Sequence, residues 1–218
     1  MKSHSQVSQD LFVLGILGRP EVGQGFQSAK HTYLEIGANL PCHWNNTWLL
    51  EQCGWLGISV DCVDYQEEWS KVRHNSFVMA DACEFVKTLA VPQQMGYLSL
   101  DVEQDTDKVL FALPEGLTFL IVTVEHNLYL PDYCFREEQR KFFGDQGYVL
   151  VCGDVCDADK NGSYPFEDWW LHSSIYDPAK HPLMNSCFHR DIIARYGFTH
   201  ILNHEDANDN YAQSTRAS

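Results

Sequence analysis

Carboxylates recur at one kind of place in this sequence, at the ends of short apolar runs. Tyr33-Leu34 leads into Glu35 and Ile36, then Gly37, Ala38 and Asn39. Gly57–Val60 is followed by Asp61, Ser76–Ala80 by Asp81, Gly96–Leu100 by Asp101 and Glu103, and Thr118–Val124 by Glu125, His126 and Asn127. One acid after a strand is commonly a helix N-cap. Five in succession would bring acidic groups to a single rim of a sheet, which suits a charged ligand or a metal. Carboxylates there can accept hydrogen bonds from hydroxyls or coordinate a hard cation. Glu35 is the odd member, because it sits inside an apolar run where an unpartnered acid is costly. The expectation is that it faces a ligand.

The elements that must position these residues alternate in type. The five runs, with Thr32–Ile36 as the first and Tyr148–Cys152 as a sixth, have the length and apolar character of buried strands. Asn46–Cys53, Tyr65–His74, Cys83–Ala90, Thr106–Leu113 and Tyr133–Phe143 read as helices between them. Strands joined by crossover helices predict a mostly parallel sheet with helices on both faces, an α/β Rossmann-like domain. "SQVSQDLFVLGILG", from Ser5, reads as an amphipathic helix capped at Ser5 or Ser8. Beyond Cys156 the order weakens to a turn, an aromatic strand-like piece, and a last helix and strand within "RDIIARYGFTHILN". One domain is expected over 32–204, with 1–31 as its N-terminal helix and loop and 205–218 as a disordered tail.

Composition narrows the function. The 218 residues carry a formal net charge of −15, which weighs against DNA or RNA as partner, since phosphates need lysine and arginine. The eight cysteines are scattered, and none forms a CxxC pair. With no signal-peptide pattern and no apolar run near membrane length, reduced thiols and a cytoplasmic setting are expected. No membrane span is expected, and the oligomeric state is not legible.

The spacing of the first acids narrows the ligand. Asp61 lies 24 residues beyond Gly37, which suits a carboxylate that accepts from the two hydroxyls of a ribose. A nicotinamide cofactor would call for G-x-G-x-x-G at the first turn, and here Gly37 is followed by Ala38-Asn39-Leu40-Pro41. A ligand with ribose and adenine but no pyrophosphate fits better, and S-adenosylmethionine (SAM) is such a ligand.

At this point the ordered motifs "YLEIGAN…NNTWLLEQCGWLGISVD", "MADACEF", "YLSLDVE" and "FLIVTVEHN" resemble the FkbM-like family of SAM-dependent O-methyltransferases, over roughly residues 5 to 175. The family commonly reads aspartate-glycine where this chain has Leu40-Pro41. The resemblance implies a class I methyltransferase domain in which Glu35, Gly37, Ala38 and Asn39 form the first SAM loop. Asn46 or Thr47 would reach the amino-acid moiety, Asp61 would hold the ribose, and Asp81 with the Ala82 backbone would address the adenine. Asp101 would lie at the cofactor too. The implied reaction is methylation of a hydroxyl, with a carbohydrate (glycan or glycoside) as the leading acceptor, in an enzyme that could be one domain of a larger glycan-synthesis protein.

A sugar hydroxyl is a very weak acid, and a divalent ion that coordinates it would lower its pKa. Asp101, Glu125 and His126 would suit Mg²⁺ or Mn²⁺, with Glu103 as general base. That arrangement resembles the metal-dependent sugar O-methyltransferases of macrolide and aminocoumarin pathways. The alternatives are a metal-independent small-molecule methyltransferase and a non-catalytic SAM-fold binding module. An amine or nucleic-acid methyltransferase would carry N/D-P-P-Y/F after the fourth run, where this chain has "SLDVEQ".

Other signals are discounted. Asp157–Asp168 mimics a calcium loop but ends in aspartate and lacks flanking helices. Tyr164, Trp169 and Trp170 could stack a sugar ring, although core packing is the commoner use of such residues. His4, His31, His43, His181 and His189 show no i, i+4 zinc spacing.

Overall fold

The computed structural model describes residues 2–21, 29–90, 94–130, 134–159, 162–185 and 188–198. Eight strands form one sheet: β1 (Thr32–Ile36), β2 (Leu56–Asp61), β3 (Ser76–Met79), β4 (Gln94–Leu100), β5 (Thr118–Glu125), β6 (Tyr148–Asp159), β7 (Gly162–His172) and β8 (Met184–Asn185). The helices are α1 (Gln9–Leu17), α2 (Trp48–Gln52), α3 (Gln66–Val72), α4 (Ala82–Lys87), α5 (Thr106–Phe111), α6 (Arg136–Asp145) and α7 (His189–Arg195).

The strand order is β3-β2-β1-β4-β5-β7-β6-β8. The first five strands are mutually parallel, while β7 runs antiparallel to both β5 and β6. The chain steps outward from β1 to β3 and then returns to start β4 on the other side of β1. This is a Rossmann-like α/β fold, and the reversal between β1 and β4 is its topological switch point.

Period-two alternation divides the sheet between two cores. Tyr33, Tyr97, Ile121, Trp169 and Leu171 share one face and pack with Leu11 and Phe12 of α1, Leu50 of α2 and Ile192 of α7. Leu34, Leu98, Val122 and Trp170 share the other and pack with Val86 of α4, Val109 of α5 and Phe143 of α6. Strands covered on both sides must be apolar throughout, which is why the first five runs were visible in the sequence. On the outer side of the sheet, Trp69 of α3 packs on Phe77 and Ala38.

Several expectations need correction. The helix α1 is not amphipathic, since Gln9 through Leu14 and Leu17 are all buried. Ser8 occupies the N-cap position in a left-handed conformation and makes no capping bond. Its hydroxyl instead meets His189 Nδ1 at 3.0 Å, and buried Asp10 ties down the preceding turn through Ser3, the His4 amide and Ser5. The helix expected over Tyr133–Phe143 is observed over Arg136–Asp145. The calcium-loop mimic is the β6–β7 hairpin, and Trp169 and Trp170 are core residues. Only Cys152 and Cys156 of the seven described cysteines are buried, and Cys62 is exposed. The strand expected after α7 and the tail at 205–218 lie outside the described residues. Among those described, no helix is long and apolar enough to cross a membrane.

Candidate functional site

Ligands in such sheets bind beyond the carboxyl ends of the strands, at the switch point, and the register shows what is displayed there. Ile36 pairs with Val60 on one side and Leu100 on the other, Leu100 pairs with Val124, and Glu125 pairs with Glu167. One residue further along, the row across the rim therefore reads Asp61, Gly37, Asp101, Glu125 and Glu167. All five belong to the face covered by α1, α2 and α7. Gly37 is the break in this line of acids, and only glycine suits the place. Its φ is +83°, and a methyl group there would sit 1.6 Å from the Asp101 carbonyl oxygen. The ends of β1 and β4 are thereby drawn together, with the Asp101 amide donating to the Ile36 carbonyl.

Behind this row lies a buried polar layer that shapes the loop after β1. Glu35 is buried, and its carboxylate accepts from Thr47 Oγ1 at 2.7 Å, Ser59 Oγ at 2.8 Å, the Asn46 amide at 3.1 Å and Asn45 Nδ2 at 3.2 Å. Burial pushes the Glu35 carboxyl up from the usual range, opposed by nearby Arg73 and these hydrogen bonds. The acid expected to face a ligand is thus occupied in folding residues 45–47 back under the rim. Arg73, which the sequence did not single out, completes the layer. It pairs with Glu51 at 2.5 Å and donates to the Pro41 carbonyl, Asn45 Oδ1, the Tyr33 hydroxyl and Thr47 Oγ1. Thr47 is therefore also inside this network, whereas Asn46 donates to Ser99 Oγ at 2.9 Å and keeps a buried Oδ1 without a partner.

The nearer rim residues are placed as follows. Asp61 ends β2 and accepts from the Asn39 and Val63 amides, both at 2.8 Å, which fixes the carboxylate beside the β1 loop. Asn39 is exposed with φ +53°, a conformation asparagine tolerates, while Ala38 is buried against Trp69. Asp81 is the N-cap of α4 and accepts from the Glu84 amide at 2.9 Å, with Ala82 as the first helical residue. For Asp81 the ordinary capping role of an acid after a strand is thus present.

The farther rim gathers four acids. Asp101 and Glu103 are exposed and Glu125 and Glu167 are buried. Glu103 is held at φ +53°, and its carbonyl accepts from Asn127 Nδ2 at 2.9 Å. For a glutamate this is an uncommon conformation of the kind that clusters at functional sites. Partial burial and the Asp101 charge raise its pKa. Glu125 Oε1 accepts from the Tyr129 hydroxyl at 2.8 Å, whereas Oε2 is buried without a partner. Burial first, and Asp101 second, push this carboxyl far above the usual range. Glu167 accepts from Gln9 Nε2 at 2.8 Å, and burial lifts it to about 8. Tyr129 and Glu167 were missed in the sequence. The signal for Glu167 was alternation in "FEDWWL", which sets Glu167, Trp169 and Leu171 on one face.

The expected metal trio does not assemble. Glu125 and His126 are neighbours in an extended segment, so their side chains leave opposite faces of the sheet. Glu125 meets Asp101 and Tyr129, while His126 Nε2 lies 3.5 Å from Asp154 Oδ1 and 3.7 Å from Asp168 Oδ1. Those three side chains could bring one ligand atom each within 4.8 Å of the others. Both carboxylates are, however, already matched by guanidinium groups. Arg140 binds both oxygens of Asp168, at 2.7 and 2.9 Å, and Asp154 receives Arg136 and Arg140, each at 2.9 Å. A cation added there would meet two arginines. Burial lowers the His126 pKa, so the ring is held neutral.

No protein-family model matches the chain, and no curated protein matches it in sequence. Similar solved structures include the 1,6-didemethyltoxoflavin-N1-methyltransferase of Burkholderia thailandensis with bound S-adenosylhomocysteine. It is 12% identical over 76% of this chain and 76% of that one, with a TM-score of 0.47. An O-methyltransferase of tomaymycin synthesis from Streptomyces achromogenes, in complex with SAM, is 12% identical over 79% and 82%, with a TM-score of 0.48. An rRNA methylase from Streptococcus thermophilus is 11% identical over 79% and 98%, with a TM-score of 0.43. These similarities are distant, and the chemistry is read below from the residues of the site.

Proposed function

We propose that this chain is a SAM-dependent O-methyltransferase that methylates a hydroxyl of a carbohydrate in a cytoplasmic setting. The observation that carries the reading is the rim row Asp61, Gly37, Asp101 and Glu125, which spans the switch point and lacks the glycine run a pyrophosphate would require. The residues fit the cofactor in three respects. Asp61 is already oriented by two backbone amides and has lone pairs to spare for a ribose. Asn46 keeps an unpartnered buried oxygen near the loop. Asp101 supplies negative charge where the switch point opens.

When bound, SAM supplies an electrophilic methyl group, so the protein's task is to orient and deprotonate the acceptor. Glu103 is the base in this reading. It is exposed enough to meet an acceptor, and burial and Asp101 raise its proton affinity. It would take the hydroxyl proton as the acceptor oxygen receives the methyl group, whose bond to the sulfonium sulfur breaks to leave neutral S-adenosylhomocysteine. Asp101 and Glu125 lie beyond it as acceptor-side groups. Because His126 sits on the opposite face of the sheet, no step is assigned to a metal.

Calorimetric titration with SAM tests this. Wild-type binding near the micromolar range is expected, and Asp61→Ala should weaken it about 10- to 100-fold, the loss of hydrogen bonds to a charged acceptor. Glu103→Gln should bind SAM normally and lose turnover. Absence of SAM binding in the wild-type protein would favour a non-catalytic module instead.

A further inference from the structure

The acids of this protein are treated in two ways. Glu51, Asp154 and Asp168 each pair with an arginine within 2.9 Å, and Arg73 also stands among the groups acting on Glu35. Glu125 and Glu167 form no ion pair among the described residues, although they are 6% and 4% exposed and follow Asp101 in the same row. Their partners are neutral, Tyr129 for one and Gln9 for the other. Two buried atoms here make no hydrogen bond in the structure, Glu125 Oε2 and Asn127 Oδ1. Asn127 Oδ1 is an acceptor, and Glu125 Oε2, which holds the proton of its carboxyl beside Asp101, becomes one when that proton leaves. The Asn127 amide orientation is set by its Nδ2 bond to the Glu103 carbonyl.

We propose that Asp101, Glu125 and Asn127, backed by Glu167, form an acceptor subsite for an organic ammonium group, so that the methylated molecule is an amino sugar or a similar amino alcohol. The inference rests on the methyltransferase reading above. An ammonium donates in three directions and accepts in none, which complements Asn127 Oδ1 and the carboxylates of Asp101 and Glu125, the Glu125 proton passing to solvent as the cation enters. A neutral sugar hydroxyl needs a donor as often as an acceptor. The cofactor's own positive charge does not account for the site. Asp101 borders the β1–β4 switch point, whereas Glu125 is one strand further and Glu167 two, steps of about 4.8 Å each. Tyr129 is 41% exposed and covers Glu125, so an incoming ammonium enters beside Asp101, with the phenol at its flank. Burial first, and the Asp101 charge after it, raise the proton affinities of Glu103 and Glu125, and a bound cation would offset both.

The test uses the full chain saturated with S-adenosylhomocysteine and two matched pairs of probes: glucosamine against glucose, and ethanolamine against ethylene glycol. Ligand-observed NMR should show at least about tenfold tighter binding of the ammonium member in one pair, weakening with salt. Glu125→Gln, which preserves shape and the Tyr129 contact, should remove that preference while S-adenosylhomocysteine affinity stays unchanged. Glu167→Gln should reduce it, and serves as the second variant if Glu125→Gln does not fold. Equal binding of charged and neutral members in both pairs, or a preference that survives Glu125→Gln, overturns the proposal. If S-adenosylhomocysteine fails to bind while the preference persists, the methyltransferase reading falls and the cation site stands. If it binds and no preference is found, the reverse holds.

Discussion

Arg73→Lys is the substitution that tests how the loop after β1 is held. The guanidinium has five N–H donors, and five bonds leave it: to Glu51 at 2.5 Å, the Pro41 carbonyl at 2.8 Å, the Tyr33 hydroxyl at 2.9 Å, and Asn45 Oδ1 and Thr47 Oγ1 at 3.0 Å. It also lies 4.2 Å from the centroid of the Trp69 ring. Lysine keeps the charge but offers three donors and no planar face. If it stays with Glu51, at least two of the other contacts go. Asn45 Oδ1 retains the Thr47 and Trp48 amides, and the Tyr33 hydroxyl retains Asn75. The exposed weakness is then the Pro41 carbonyl. One buried acceptor left unpartnered costs about 1–3 kcal/mol, and each further net hydrogen bond about 1. The total is about 2–4 kcal/mol, or a fall in Tm of roughly 5–15 °C for a chain of this size. Urea unfolding with an unchanged slope would measure it, and SAM titration would report on the loop. A loss below about 1 kcal/mol would refute the assignment of Arg73 as the loop's anchor. So would a large loss of stability with SAM affinity intact.

Three further outcomes are expected. Gly37→Ala should destabilise by about 2–5 kcal/mol, since the added methyl group meets the Asp101 carbonyl and the φ is positive; thermal unfolding checks it. His126, whose pKa is lowered by burial despite Asp168 and Asp154, is neutral when folded and takes up a proton more readily when unfolded. Stability should therefore fall as pH drops below about 6.5, and His126→Asn should flatten part of that slope in urea titrations at pH 5 to 7. Glu167 has the opposite sign. Its folded pKa of about 8 exceeds the unfolded 4.5, so its contribution is lost as pH rises between those values. Glu167→Gln should gain stability over wild type across that window and level off above it.

The parts of the fold that were legible in sequence follow from burial. Strands β1 to β5 are covered on both faces, so they read as continuous apolar runs, and their ends were placed within a residue or two. The later strands were harder because β6 and β7 change partners through register shifts near Leu150, Cys152 and Val155, and no periodic signal reports such shifts. The site was legible as a rim but not as a set of directions. Glu125 and His126 look like adjacent ligands on paper, and alternation sends them to opposite faces. Glu35 and Asp81 carry acids at the expected ends, yet one is absorbed by the loop and the other caps α4. Arg73 gave no sign of itself, because its five partners, all between Tyr33 and Glu51, lie 22 to 40 residues before it.

The packing of α1 bears on how the protein is made. Phe12 packs against Trp169 with centroids 4.6 Å apart and rings tilted by 42°, it meets Tyr196 edge-on at 5.4 Å, and the α-carbon of Gly15 faces the Phe198 ring. This mostly apolar helix thus precedes in the chain several of its partners, which lie in the last quarter of the described residues, beside others from β1, α2 and β4. At roughly 5–20 residues per second, α1 is made about 10–30 s before Trp169 and Tyr196 complete the surface that covers it. Gln9, which reaches Glu167, can close over the acidic rim only after β7 has been made.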